Sequence, residues 1–101
     1  MKQVIVIGGG AAGMMAAIGA AKEGARVTLL EQNEKTGKKI FITGKGRCNL
    51  TNACEQEDFF SHVISNGKFL YSAFYQMDNQ SVMDFFENAG CFKSSDGKRR
   101  Y

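Results

Sequence analysis

Apolar and polar positions change period several times along the chain, and each change marks an element. Residues 2 to 7 (K-Q-V-I-V-I) form a short β-branched run, suited to a central strand buried on both faces. Ala11, Ala12, Ala16, Ala17, Ala20 and Ala21 follow, residues that favour helix intrinsically and keep its packing faces flat. The run R-V-T-L-L then restores a strand pattern and ends at a carboxylate, Glu31. From Gln32 to Thr43 the chain is polar and basic, with Ile40-Phe41-Ile42 as a short apolar insert. The stretch from Gly44 to Asn52 is rich in Gly, Asn and Thr, a loop by composition.

Three helical patterns come next. The first runs from about Glu57 to Ile64, with Phe59, Phe60 and Val63 on one side. The second covers about Gly67 to Met77, with Phe69, Leu70, Ala73 and Phe74 spaced for one face. The third has Asp78 as N-cap, an apolar stripe at Val82, Phe85, Phe86 and Ala89, and Gly90 as its stop. These aromatics read as packing residues. Ser94-Ser95-Asp96-Gly97 marks a hairpin turn between Cys91-Phe92-Lys93 and Lys98-Arg99-Arg100-Tyr101.

The order strand, glycine turn, helix, strand, acid predicts an α/β fold: a Rossmann-like βαβ unit over residues 2–31. Glycines fall at Gly8, Gly10 and Gly13, and Glu31 follows 18 residues after the last. That is the spacing a dinucleotide requires. Gly8 lets the chain turn out of the strand where a side chain would force an unfavourable φ. Gly10 leaves room for the backbone to lie against a pyrophosphate, and Gly13 lets the helix pack closely on the sheet. The first backbone N–H groups of the helix, at Ala11 and Ala12, then point at the phosphates with the positive end of the peptide dipoles behind them. Glu31, with Gln32 beside it, would accept hydrogen bonds from the ribose hydroxyls and repel a 2′-phosphate. FAD or NAD is therefore expected over NADP.

Length and composition limit what else is present. With 101 residues the chain is one domain at most. A dinucleotide-binding half normally has at least three parallel strands, and only two are evident before residue 90. The expectation is an N-terminal piece of a longer polypeptide, with the substrate domain absent, a cofactor-facing loop over residues 32–54, a helical segment inserted at residues 55–90 and a hairpin beginning at 91–101. No 18-residue apolar stretch occurs, so no membrane partner is expected. Cys48, Cys54 and Cys91 form no C-x-x-C pair and read as reduced thiols of a cytoplasmic protein. With His62 the sole histidine, neither a metal centre nor a Ser/His/Asp triad can be assembled.

The formal charge is +3, but Lys35, Lys38, Lys39, Lys45 and Arg47 fall in one acid-free stretch. The cluster is read as partly ligand-facing and partly solvated. The competing reading is a nucleic-acid surface, disfavoured because no aromatic stacking pattern interleaves it.

Two resemblances sharpen the ligand. Ala17, Gly24, Val27, Glu31 and Gly37 stand in register with the longer fingerprint of the glutathione-reductase-like flavoproteins, with departures at Met14 and Lys38. In that group the first such unit holds FAD. The segments Thr43 to Asn52 (T-G-K-G-R-C-N-L-T-N) and Asn66 to Phe74 (N-G-K-F-L-Y-S-A-F) resemble the aminoacetone-oxidase-like flavoproteins of the BaiN/RdsA type. This likeness spans essentially the whole chain. It implies FAD-dependent oxidoreductase chemistry, with hydride transfer through flavin N5 to or from a small organic substrate, and NAD(P)H as a donor bound by segments not present.

The same resemblance implies that the loop Gly46-Arg47-Cys48-Asn49 approaches the flavin and pyrophosphate, with Arg47 offering charge-assisted hydrogen bonds. Lys38 or Lys39 would neutralise the diphosphate. Cys48 is expected to present backbone or to pack; a redox disulfide with Cys54 is the lesser alternative. The catalytic acid or base is unknown, and the remainder of the polypeptide is expected to be required. The alternative functions are an isolated dinucleotide-binding module without activity and a flavoprotein associated with nucleic acid.

Overall fold

Two parallel strands carry the first half of the chain: β1 (Gln3–Ile7) and β2 (Arg26–Leu30), paired in register from Gln3 opposite Arg26 to Ile7 opposite Leu30. The computed structural model describes residues 1–43 and 50–91. Backbone bonds extend the ladder at both ends, from Arg26 N–H to the Lys2 carbonyl at 2.8 Å and from Gly8 N–H to the Leu30 carbonyl at 2.7 Å. Between the strands runs α1 (Ala11–Lys22), the helix the alanines predict. It stops at Gly24, whose φ of +88° suits glycine, and whose N–H donates to the Ala21 carbonyl. The fold is α/β, with a parallel βαβ unit.

The expectation that β1 is buried on both faces needs correction. Val4 and Val6 are half-buried, while Ile5 is 66 % and Ile7 85 % exposed. Side chains alternate across a strand, and α1 packs against the two strands on one face only, with Val6 beneath Gly13. A continuous apolar run marks a strand able to be covered twice; among the described residues it is covered once.

The polar-basic stretch after Glu31 also departs from a plain loop. Residues Lys38–Ile42 form a short helix, α2, entered through Gly37 at φ +69°. Gly37 N–H donates to the Gly9 carbonyl at 2.7 Å, which folds this stretch back onto the glycine turn.

The chain divides into two compact units, Met1–Cys48 and Asn49–Tyr101. The second is helical: α3 (Gln56–Ser61), a 3₁₀ turn (Gly67–Leu70), α4 (Tyr71–Gln76) and α5 (Asn79–Asn88). The helix expected over Gly67 to Met77 is thus a 3₁₀ turn running into a shorter α-helix. Its entry residue Asn66 takes a left-handed φ of 55°, a conformation Asn tolerates. Phe74 is buried and sits 4.4 Å from Phe59 and 4.8 Å from Phe60, ring centre to ring centre. Asp78 caps α5 as expected, its carboxylate accepting from Ser81 N–H at 2.8 Å. The deepest positions of α5 are Asn79 and Met83, with Val82, Phe85 and Phe86 half-buried and Ala89 exposed. The hairpin expected after Cys91 lies outside the described residues.

Candidate functional site

The site is built on the turn between β1 and α1. Gly8 leaves the strand at φ +100°, a region closed to most side chains. Gly13, one turn into α1, packs against that same residue: a methyl group built on Gly13 would overlap the Gly8 carbonyl. Gly10 is different. It sits at an ordinary φ of −81°, and a methyl group there would meet nothing within 4 Å. The turn therefore uses Gly13 for internal closeness and keeps Gly10 open to the outside. Gly10 is also the N-cap of α1 and supplies no side-chain hydrogen bond. The first turn of a twelve-residue helix thus faces outward with no side chain of the described residues capping its donors, Ala11 and Ala12 exposed and Gly13 half-buried. Such a terminus, with the dipole behind it, suits a diphosphate.

Glu31 follows β2 directly and returns to the same turn. Its Oε1 accepts from Gly9 N–H at 2.8 Å. Its Oε2 accepts from both the backbone N–H of Asn33, at 2.7 Å, and the Asn33 side-chain amide, at 2.9 Å. The Asn33 backbone N–H, then that of Gly9, hold the carboxyl below its ordinary value of 4.5; desolvation opposes them. The group is an anion at neutral pH beside the donor-rich end of α1.

Gly9 locks this arrangement. It is buried, donates to Glu31, accepts from Gly37, and has no space for a side chain: a methyl group would lie 2.8 Å from Thr36 Cγ2 and 3.0 Å from Leu29 Cδ2. Reading the glycines by fingerprint alone singles out Gly8, Gly10 and Gly13 and passes over Gly9. The run of three successive glycines was the available signal, since one of them is surplus to the fingerprint. Asn33 carried no signal in the apolar pattern. Met14, where the glutathione-reductase-like group has glycine, is half-buried and reaches toward Gly37.

Gln32, Lys38 and Lys39 are exposed, the lysines at the start of α2. Gly46, Arg47, Cys48 and Asn49 lie outside the described residues. An open hollow of about 600 Å³ is lined by Asn66, Gly67, Lys68 and Phe69, in the second unit, and none of the residues read as cofactor-binding lines it. His62 closes α3, with Nδ1 2.7 Å from the Asp58 carbonyl and its side chain exposed. Cys54 and Cys91 are free thiols. Among the described residues no group of His, Cys, Asp and Glu could hold a metal ion, and no helix is long and apolar enough to cross a membrane.

Residues 2–100 match the family described as HI0933-like protein Rossmann domain. The chain belongs to that family. Its curated relatives include a 3-dehydro-bile acid delta(4,6)-reductase of Clostridium scindens, 41 % identical over 99 residues, which covers 96 % of this chain and 24 % of the relative. Ribosomal RNA dihydrouridine synthases of Escherichia coli and Haemophilus influenzae are 35 % and 37 % identical, each match covering 85 % of this chain and 21 % of the relative. The chain spans about a quarter or less of the length of these relatives. Membership agrees with the likeness drawn from T-G-K-G-R-C-N and with the Rossmann-like βαβ reading.

Proposed function

We propose that the chain is the FAD-binding portion of a flavin-dependent oxidoreductase, an N-terminal part whose substrate domain is supplied by the remainder of a longer polypeptide. The observation that carries this reading is the pairing of an uncapped α1 terminus, kept open at Gly10, with an ionised Glu31 pinned to the same turn. The backbone N–H groups of Ala11, Ala12 and Gly13 would hold the diphosphate, and Gly8 and Gly10 would let it approach the main chain. Glu31 would accept from the adenosine ribose, with Gln32 at its side. Lys38 and Lys39 would screen phosphate charge, and the Gly46-Arg47-Cys48-Asn49 loop would come up to the flavin. FAD, when bound, would supply hydride transfer through N5, the protein supplying position and electrostatics. The relatives' names support reductive chemistry: one is a reductase, and the others make a dihydro product. The reductase's name favours an unsaturated small organic substrate; NAD(P)H as donor and a cytoplasmic setting belong to the proposal without support from these names.

Titrating the chain with FAD and with ADP tests this. Tighter binding of FAD supports a flavin site; equal affinity means that only the ADP moiety is held, as in a module without activity. A chain that takes up neither ligand defeats the proposal.

A second reading has its own support. Two relatives act on ribosomal RNA, and Lys35, Lys38, Lys39, Lys45 and Arg47 form an acid-free basic stretch. An RNA substrate would show binding that falls steeply with salt; salt-independent or absent RNA binding removes it.

A further inference from the structure

We propose that Asn33 is a specificity-determining positioning residue: it fixes Glu31 so that the carboxylate meets the adenosine ribose as a hydroxyl acceptor and turns away a 2′-phosphate. The inference rests on the dinucleotide reading above and adds to it the residue that aims the acid.

Glu31 is the first residue past β2, where the strand ladder no longer fixes its side chain. Gly9 N–H holds one oxygen at 2.8 Å, and that bond alone would leave the carboxyl group free to swing about it. Asn33 removes this freedom by gripping the other oxygen twice, at 2.7 Å through the backbone and 2.9 Å through the side chain. Donors on both oxygens set the plane of the group as well as its position.

The count of acceptor sites matters too. A carboxylate offers about four lone-pair sites. These donors take three of them, and the Gln32 backbone N–H also acts weakly on the carboxyl, so the remaining capacity is small and directional. A ribose hydroxyl brings the donor such a site requires. A 2′-phosphate brings only more negative charge to an anion that cannot rotate away. Hydrogen bonding from Asn33 and Gly9 to the ionised form supports the same picture, since it holds the group charged. Gly9 anchors the far side: with Thr36 and Leu29 against it and Gly37 bonded to its carbonyl, it cannot give way to a repelled carboxylate.

The test compares the intact chain with Asn33→Ala and Asn33→Ser in two readouts. The first is the ratio of dissociation constants for ADP-ribose and 2′-phospho-ADP-ribose at fixed salt. The second is the titration midpoint of the Glu31 carboxyl carbon by NMR, with no ligand added. Asn33→Ala should shrink the preference for the unphosphorylated ligand about fivefold, as expected for losing one exposed bond to a charged group, and should raise the Glu31 midpoint. Asn33→Ser keeps a short donor and should recover part of both. Asn33 is exposed, so both variants are expected to fold. If the parent chain discriminates and the variants match it in ratio and midpoint, the role of Asn33 is overturned while the dinucleotide reading stands. If the parent chain binds neither ligand, the dinucleotide reading falls and takes this inference with it.

Discussion

The two units of the chain reach order by opposite means. Among the described residues of the first, the one buried position is a glycine, Gly9; in the second, the buried positions are Phe74, Asn79 and Met83. The first is held by main-chain closure, with Gly9 bonded to Glu31 and Gly37, and Gly8 bonded to Leu30. The second is held by rings, with Phe59, Phe60, Tyr71, Phe74 and Tyr75 in mutual contact and Met83 only 2 % exposed. On the proposed reading, a unit whose backbone meets a ligand cannot fill that place with side chains. The first unit should therefore fail when atoms are added, the second when they are removed.

The largest effect is expected in the second unit. Phe74→Ala removes a buried ring from three aromatic neighbours and should cost about 3–5 kcal/mol, read as a fall in the urea midpoint. Phe69, 85 % exposed, should tolerate the same change within about 0.5 kcal/mol. Equal losses at the two positions would break the contrast between core and surface. Next comes Gly13→Ala, where the added methyl overlaps the Gly8 carbonyl and the backbone must move; about 3 kcal/mol is expected. Gly10→Ala meets nothing and keeps an allowed φ, so it should leave the urea midpoint unchanged while weakening FAD at least about tenfold, the outcome of filling space meant for a ligand. A Gly10→Ala chain that binds FAD normally would show that the open face serves no diphosphate.

The same contrast explains what the sequence made legible. The βαβ order, the Gly8 turn, the Gly13 contact and the Asp78 cap all follow from local rules, because strand period, glycine φ and cap chemistry act within a few residues. Gly9, Asn33 and Asn79 did not stand out. Gly9 and Asn79 work through polar bonds set by the tertiary path, Gly9 and Glu31 being 22 residues apart and Asn79 and Asn52 27 apart, while Asn33 bonds locally to Glu31; an apolar count is blind to all of these. The α2 helix hid for another reason: at five residues it is too short for periodicity to register. On α5, the stripe Asn79, Val82, Met83, Phe86 shares the helical spacing of the stripe through Val82, Phe85, Phe86 and Ala89. A polar residue at its head made it the less visible of the two.

Asn79 supplies the next prediction. Its side-chain amide donates to the carbonyls of Asn52 and Cys54, both at 2.8 Å, and thereby fastens the segment before α3 to the start of α5. Asn79→Leu would strand two acceptors and should cost about 2 kcal/mol in urea denaturation. Unchanged stability would mean that ring packing alone orders this unit.

The smallest effect separates the units by pH. Asp78, in the second, is held below its ordinary value of 3.8 chiefly by the Ser81 backbone N–H, as Glu31, in the first, is held down by Asn33 and Gly9. A carboxyl whose folded value is depressed contributes stability that is fully present above its unfolded value and is lost as pH falls through the folded one. Asp78→Ala should lose about 1 kcal/mol at pH 6, the usual worth of a cap, and the gap from the parent chain should close on acidification below about pH 3.8. Asp78→Asn keeps an acceptor for Ser81 but cannot titrate, so it should match the parent at pH 6 and lose stability less steeply than the parent in acid. If Asp78→Asn and the parent lose stability in parallel as pH drops, the acid sensitivity of the second unit does not come from this cap. Glu31, held down in the first unit, would then be the carboxyl to test the same way, and acid should loosen the glycine turn before it loosens the aromatic cluster.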